Sequence, residues 1–337
     1  MTRPPGAVAD HLIGPLLRSV SRSFYLSIRL LPSGLREPVG LAYLLARATD
    51  SVADTSEIAP EIRKPTLETL ASAIQGSALL PKIDGLRASF APLQTNPAER
   101  ELIESVPQSL EALELLQPAD RDDVRELLVR INRAQLLDVE RFGQPGEIRA
   151  LATAADLNEY TYLIAGCVGE FWTHMCARHV RDFAERPADQ MLELGRRYGA
   201  GLQLINILRD AGGDLRAGRC YIPNEDLNEA GLTPAQILKE PAKFIPVFRK
   251  WLNQAEQGLN AGTEYSLAVS HRRIRAATVL PALIGARTIA LLRDAGDAVL
   301  DEKVKVPRYE VRSMLRSVAM SLASRPALQK LFRKALQ

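Results

Sequence analysis

Apolar residues recur at three- and four-residue intervals along almost the whole of this 337-residue chain, and that periodicity favours helices over every other element. In 102–115 the series is Leu102, Ile103, Val106, Leu110, Leu113 and Leu115; in 124–138 it is Val124, Leu127, Leu128, Ile131, Leu136 and Leu137. Each winds an apolar stripe down one side of a helix. No alternating run of β-branched residues bounded by turn signals is long enough to build a sheet, so the expected fold class is all-α. Breakers at Pro32, Pro60, Pro81 to Gly85, Gln144-Pro145-Gly146, Pro187, Pro223 and Pro307 divide the chain into helices of roughly 15 to 25 residues. None is a long Gly/Ser linker and no internal repeat is visible, so one helical domain over 1–337 is expected.

A composition of 46% hydrophobic and 25% charged residues excludes a disordered or disulfide-framework chain. The net charge of +3 gives no case for a nucleic-acid surface. Its distribution is uneven: residues 303–337 hold nine Lys or Arg against one acid, Glu310, so that this segment is +8 and the first 302 residues are −5. Three cysteines, Cys167, Cys176 and Cys220, lack CxxC spacing, which fits a reducing compartment. MTRPPGAVADH has no apolar core of the signal-peptide kind. The longest apolar stretch, Ala276 to Ala286, contains Pro281 and stops at Arg287, short of the ~20 residues of a bilayer span. A cytoplasmic protein, at most peripheral to a membrane, is the expectation.

Two aspartate pairs carry the chemistry. In VGLAYLLARATDSVADT, Tyr43, Arg47, Asp50 and Asp54 form one polar stripe on an otherwise apolar helix, with the two carboxylates four residues apart and on one face. In GAGLQLINILRDAGGDLRAGRCYIP, Gln203, Asn206, Asp210 and Asp214 repeat the arrangement, and Gly212 and Gly213 are expected to fray the helix end. Like charges on one buried turn are costly unless a cation lies between them. All the candidate ligands carry oxygen, the preference of Mg²⁺, which completes its shell with substrate phosphates. Two such helices facing each other would enclose an aliphatic cavity with carboxylates at its mouth, suited to an apolar chain ending in a diphosphate. A third pair, Asp297 and Asp301, has no apolar sheath and reads as a solvated helix end.

These motifs, in order, resemble the squalene/phytoene synthase family. SVSRSFYLSIRLLP resembles its opening motif, the two Asp-x-x-x-Asp blocks its paired aspartate motifs, YTYLIAGCVGEFW its tyrosine segment, and DAGGDLRAGRCYIP the run after the second aspartate motif. The resemblance is strong over about Ser19 to Pro223 and weaker to about Arg316. It implies an all-α isoprenoid-synthase bundle around a central cavity and two farnesyl diphosphates as substrates. It further implies Mg²⁺ held by Asp50, Asp54, Asp210 and Asp214 with Asn206 and Gln203 assisting. Ser21, Arg22, Ser23, Arg47 and Arg209 would hold diphosphate oxygens, and Phe24 and Tyr43 would line the site. Tyr160 is the candidate for proton transfer. Leu163, Ile164 and Val168 would keep the cavity dry, and Phe171 and Trp172 offer aromatic faces to a carbocation.

Two positions depart from the family's pattern. Leu163 stands where animal and fungal squalene synthases have a tyrosine, and Ala53 replaces a third acid of the first motif. EKVKVPRYEVR resembles the segment in which a Lys and an Arg hold NADPH: Lys305 matches and Arg308 is one residue off. The expected product is therefore squalene, made through presqualene diphosphate. Dehydrosqualene or phytoene synthesis without NADPH is the alternative reading, as is a non-catalytic assembly-factor relative. Arg308, Arg312 and Arg316 also form an i, i+4, i+8 stripe on a candidate peripheral helix.

Overall fold

A computed structural model describes residues 10–21, 24–55, 58–77, 80–142 and 147–337. The candidates Arg22 and Ser23 lie outside the described residues. The chain forms two compact units, Met1–Gln144 and Pro145–Gln337, and both are helical, as the periodicity predicts.

In the first unit a π-helical turn, Leu12–Leu16, leads into helices α1 (Leu17–Ser21), α2 (Phe24–Leu30), α3 (Ser33–Asp54), α4 (Pro60–Ile74), α5 (Leu80–Phe90), α6 (Pro97–Glu104), α7 (Val106–Glu114) and α8 (Pro118–Phe142). Most of the prolines that divide this sequence begin helices instead of interrupting them. Pro60 and Pro97 open α4 and α6, where the missing N–H is one that no helix would satisfy; Asn96 caps α6 by accepting from the Ala98 N–H at 3.0 Å. Pro81 falls in the first turn of α5, which continues through Gly85 to Phe90, so the helix does not break at Pro81 to Gly85, and α4 ends earlier, at Ile74. The centre of this unit is α3, which packs along α8, α4 and α7.

α8 buries two amide side chains among its apolar ones. Leu136 and Leu137, expected on the buried stripe, are half-buried, while Asn132 and Gln135 are 3% and 4% exposed. Both Asn132 amide atoms and Gln135 Oε1 are buried without a hydrogen-bond partner.

The second unit contains α9 (Ala154–Thr161), a π-helical turn Tyr162–Gly166, α10 (Cys167–His179), α11 (Ala188–Arg216), α12 (Asn224–Glu229), α13 (Pro241–Ala268), α14 (Arg272–Ala295), α15 (Arg308–Ser321) and α16 (Arg325–Ala335). Two short strands, β1 (Arg149–Ala150) and β2 (Arg219–Cys220), pair in parallel. Its core is α11 packed against α13, α10 and α14. Backbone contact at two crossings requires glycine: a Cβ on Gly169 would lie 1.9 Å from the Gly195 carbonyl oxygen, and one on Gly201 would lie 2.7 Å from Gly258 Cα. The glycines of the tyrosine segment thus serve helix packing. By length and composition the segment Arg272–Leu300, with mean hydropathy 1.4, could cross a membrane, yet 78% of that window is buried inside the structure, the burial of a core helix. The helix α14 within it contains Pro281 and continues past Arg287, at which the uninterrupted apolar stretch stops.

Candidate active site

From Gly40 to Asp54 the positions of α3 that escape burial are Tyr43, Ala46, Arg47, Asp50 and Asp54, the polar stripe of the sequence. Arg47 holds it in order: Nη1 donates to Asp50 Oδ2, and Nη2 donates to Glu99 Oε1 of α6 at 2.6 Å. The Tyr43 hydroxyl donates to the Val20 carbonyl at 3.3 Å, and its ring stacks on Phe24 with centroids 5.3 Å apart. Ser21 is buried and donates its hydroxyl to the Leu17 carbonyl at 2.5 Å. Surrounding protein strips water from the Asp50 carboxyl and the Asp54 charge adds to the effect, so that Asp50 is pushed up to about 7 although Arg47 opposes both. With 39% of its side chain still exposed, the carboxyl has an open side from which a stronger cation can approach.

On α11, Arg209 grips the neighbouring Asp210 with two hydrogen bonds, Nη2 to Oδ2 at 2.6 Å and Nε to Oδ1 at 3.2 Å. Lys303 reaches the same carboxyl, Nζ to Oδ1 at 2.8 Å. Burial raises the Asp210 carboxyl, but the hydrogen bonds and charges of Arg209 and Lys303 outweigh it and hold the group below the usual carboxylate range. Asp214, one turn on, accepts from Arg219 Nη2 at 2.8 Å. Asn206 is exposed and donates to Gln203 Oε1 at 3.4 Å. The helix does not fray at its glycines. It continues to Arg216, and Gly212 lies so close to Leu300 that a Cβ would sit 2.0 Å from that carbonyl oxygen. The third pair is a solvated end: Asp297 and Asp301 are exposed, and Asp301 pairs with Arg216.

The helix α9, which carries the start of the tyrosine segment, begins at a Thr153–Asp156 capping box and passes into the π-helical turn, a distortion that recurs at functional sites. Tyr160 is 6% exposed and stacks on Tyr221, centroids 5.0 Å apart, while the Tyr162 hydroxyl donates to Glu170 at 3.0 Å. Leu163, Phe171 and Trp172 are buried, and Ile164 and Val168 are half-buried. The Trp172 indole N–H is buried without an acceptor. Lys305 and Arg308 are exposed.

The structure therefore brings Tyr43, Arg47, Asp50 and Phe24 together in one unit, and Arg209, Asp210 and Asp214 in the other. Sequence reasoning missed Glu99, Arg219 and Lys303, the counter-ions of the two motifs. Arg219 had a signal, since it lies in the run that follows the second aspartate motif. Glu99 and Lys303 carry none, because their partners are distant in the chain.

The donor set fits magnesium: four carboxylates and two amides, all hard oxygen donors. Among the described residues no group of three or more His, Cys, Asp or Glu side chains converges on one point, so ligands beyond the protein's own would have to complete a shell.

The model of the squalene/phytoene synthase family matches residues 17–310. A bifunctional lycopene cyclase/phytoene synthase of Arthroderma gypseum is 29% identical over 248 residues, covering 72% of this chain and 39% of that protein. A squalene synthase of Candida albicans is 27% identical over 234 residues, covering 68% of this chain and 49% of that protein. This chain thus spans half or less of the length of these two relatives. A dehydrosqualene synthase solved with a ligand superposes with a TM-score of 0.66 at 23% identity, over 95% of this chain and all of that one, which establishes the helical isoprenoid-synthase fold. With a family match over most of its length and the fold to accompany it, the chain belongs to the squalene/phytoene synthase family.

Proposed function

We propose that this protein condenses two farnesyl diphosphates head to head, with Mg²⁺, to presqualene diphosphate and then reduces that intermediate to squalene with NADPH. The observation that carries the reading is the Tyr43–Arg47–Asp50–Asp54 stripe, a set of charges placed along a helix otherwise occupied by core side chains. A scaffold gains nothing from such a pair of like charges, since each carboxylate must be offset by a cation or left at a cost.

Asp50, Asp54, Asp210 and Asp214, with Asn206 and Gln203, would hold the magnesium. The chemistry it supplies when bound is neutralisation of the departing diphosphate. Arg47 and Arg209 orient the carboxylates beside them and present planar guanidinium donors of the kind that match diphosphate oxygens. Ionisation breaks one allylic C–O bond, and the electron pair leaves with the diphosphate. The double bond of the second substrate attacks the resulting cation, and loss of one proton closes the cyclopropane. Tyr160, held by its stack on Tyr221, is the group assigned to that proton transfer, and the released diphosphate is the rival base. Leu163 and Phe171 keep water from the cation, and the stacked rings of Phe24 and Tyr43 offer it a π face.

In the second stage the remaining diphosphate departs, and NADPH, when bound, would supply the hydride that the reduction to squalene requires. The basic side chains of Lys305 and Arg308 suit the phosphates of that cofactor. A cytoplasmic location belongs to the same reading. Incubation with farnesyl diphosphate and Mg²⁺, with and without NADPH, followed by mass analysis of the products, tests the assignment. Squalene formed only with NADPH is expected. An unchanged hydrocarbon on omitting NADPH would reassign the protein to dehydrosqualene or phytoene synthesis, and no condensation at all would leave the assembly-factor reading.

A further inference from the structure

We infer that the outward face of α15 docks the protein on an anionic lipid surface. At 100° per residue, Tyr309, Arg312, Arg316 and Met320 fall within roughly 80° of arc on that helix. All four are exposed, Tyr309 to 71% and Met320 to 81%, which makes them two large apolar side chains held in water at either end of a pair of arginines.

The helix is anchored by its other side. Val318 is buried, Val311, Met314 and Leu315 are half-buried, and α15 packs on α14 and α16. The apolar side of α15 therefore faces the protein and not the solvent. Glu310, the one acid among residues 303–337, is held by Arg287, whose Nε donates to Oε2 at 2.8 Å, while its Oε1 accepts from the Tyr309 hydroxyl at 3.4 Å. No carboxylate of this segment remains to oppose the arginines, and the neighbouring α16 adds exposed Lys330, Arg333 and Lys334.

Charge and side-chain type select the occupant. An anionic surface attracts clustered arginines over a Debye length. Tyrosine suits the headgroup layer, where its ring is apolar and its hydroxyl wet, and methionine suits the acyl boundary just beneath. A nucleic acid would satisfy the arginines but would leave Met320 exposed. This surface is separate from the carboxylate motifs, so its test does not depend on the proposed chemistry.

The full chain is sedimented with phosphatidylcholine vesicles with and without phosphatidylglycerol, at low and high salt. Expected is co-sedimentation with the anionic vesicles at low salt and release at high salt. Each arginine removed should weaken binding on the order of fivefold, so that Arg312→Ala/Arg316→Ala loses it almost completely while circular dichroism and turnover of soluble substrate stay unchanged. Met320→Ser should weaken binding without altering its salt dependence. Equal binding to neutral vesicles, no binding at low salt, or wild-type binding by the double arginine variant would overturn the inference. So would a single-stranded oligonucleotide bound in preference to vesicles and indifferent to Met320→Ser.

Discussion

Lys303 Nζ lies 2.8 Å from Asp210 Oδ1, so the first residue of the basic C-terminal segment neutralises a carboxylate of the second aspartate motif. This contact gives part of the +8 segment a role at the motif that neither charge counting nor spacing reveals. A divalent cation bound at this carboxylate would compete with the lysine for the same oxygen. Lys303→Met should therefore lower the Mg²⁺ concentration needed for half-maximal turnover by severalfold. A titration of condensation activity against Mg²⁺ measures this, and an unchanged midpoint would separate Lys303 from the metal site.

Asp50 makes a pH-dependent contribution to stability. Its carboxyl is raised to about 7 from the ordinary 3.8, by loss of solvation first and by Asp54 second. A group whose folded-state value is raised binds its proton more tightly when folded, so ionising it costs stability. That cost is absent below pH 3.8, grows as pH rises towards 7, and is fully present above it. In EDTA, Asp50→Asn should melt higher than wild type at pH 8 and at the same temperature near pH 3.5. Added Mg²⁺ should raise the wild-type melting temperature and leave the variant's almost unmoved. Turnover of Asp50→Asn and of Asp210→Asn should be abolished, and either variant retaining full activity would refute the metal assignment.

The helical class and the polar stripe of α3 were legible because both rest on local periodicity. The chain's hydrophobic pattern alone places Tyr43, Arg47, Asp50 and Asp54 on the side of α3 that stays open. What escaped the sequence depends on neighbours remote in the chain. Gly212 and Gly213 read as a frayed end because glycine weakens helices, whereas the approach of Leu300 to Gly212 explains one of them by packing. The Leu136–Leu137 pair read as core because hydrophobicity outranks position in a pattern, yet the faces of α8 against α3 and α4 were set by tertiary packing, which buried Asn132 and Gln135 instead.

The burial of Asn132 has an energetic consequence. Both polar atoms of the Asn132 amide are buried without partners, and an unsatisfied buried group costs about 1–3 kcal/mol. Leucine fills a similar volume without that penalty. Asn132→Leu should raise the urea midpoint, by roughly 1 kcal/mol in unfolding free energy. A fall in the midpoint would mean that the amide is hydrogen-bonded in solution, to water or to a bound ligand.

The neighbouring glycines of α11 allow a test in which the same substitution has opposite effects one residue apart. At Gly212 a Cβ would lie 2.0 Å from the Leu300 carbonyl oxygen and 2.8 Å from its Cα. These are backbone atoms that no side-chain rotation can move aside, so Gly212→Ala must push the Gly296–Leu300 turn away from the helix. The expected cost exceeds 1 kcal/mol, in the range of overpacked core substitutions at about 1–3 kcal/mol. At Gly213 nothing lies within 4 Å of the added carbon, and the residue is exposed within the helix. There the substitution removes only the conformational freedom of glycine and should stabilise by about 1 kcal/mol. Thermal melts of the two variants beside wild type should bracket it, Gly213→Ala above and Gly212→Ala below. If both rise, Leu300 does not pack on the helix; if both fall, the Gly213 face is occupied in the folded protein.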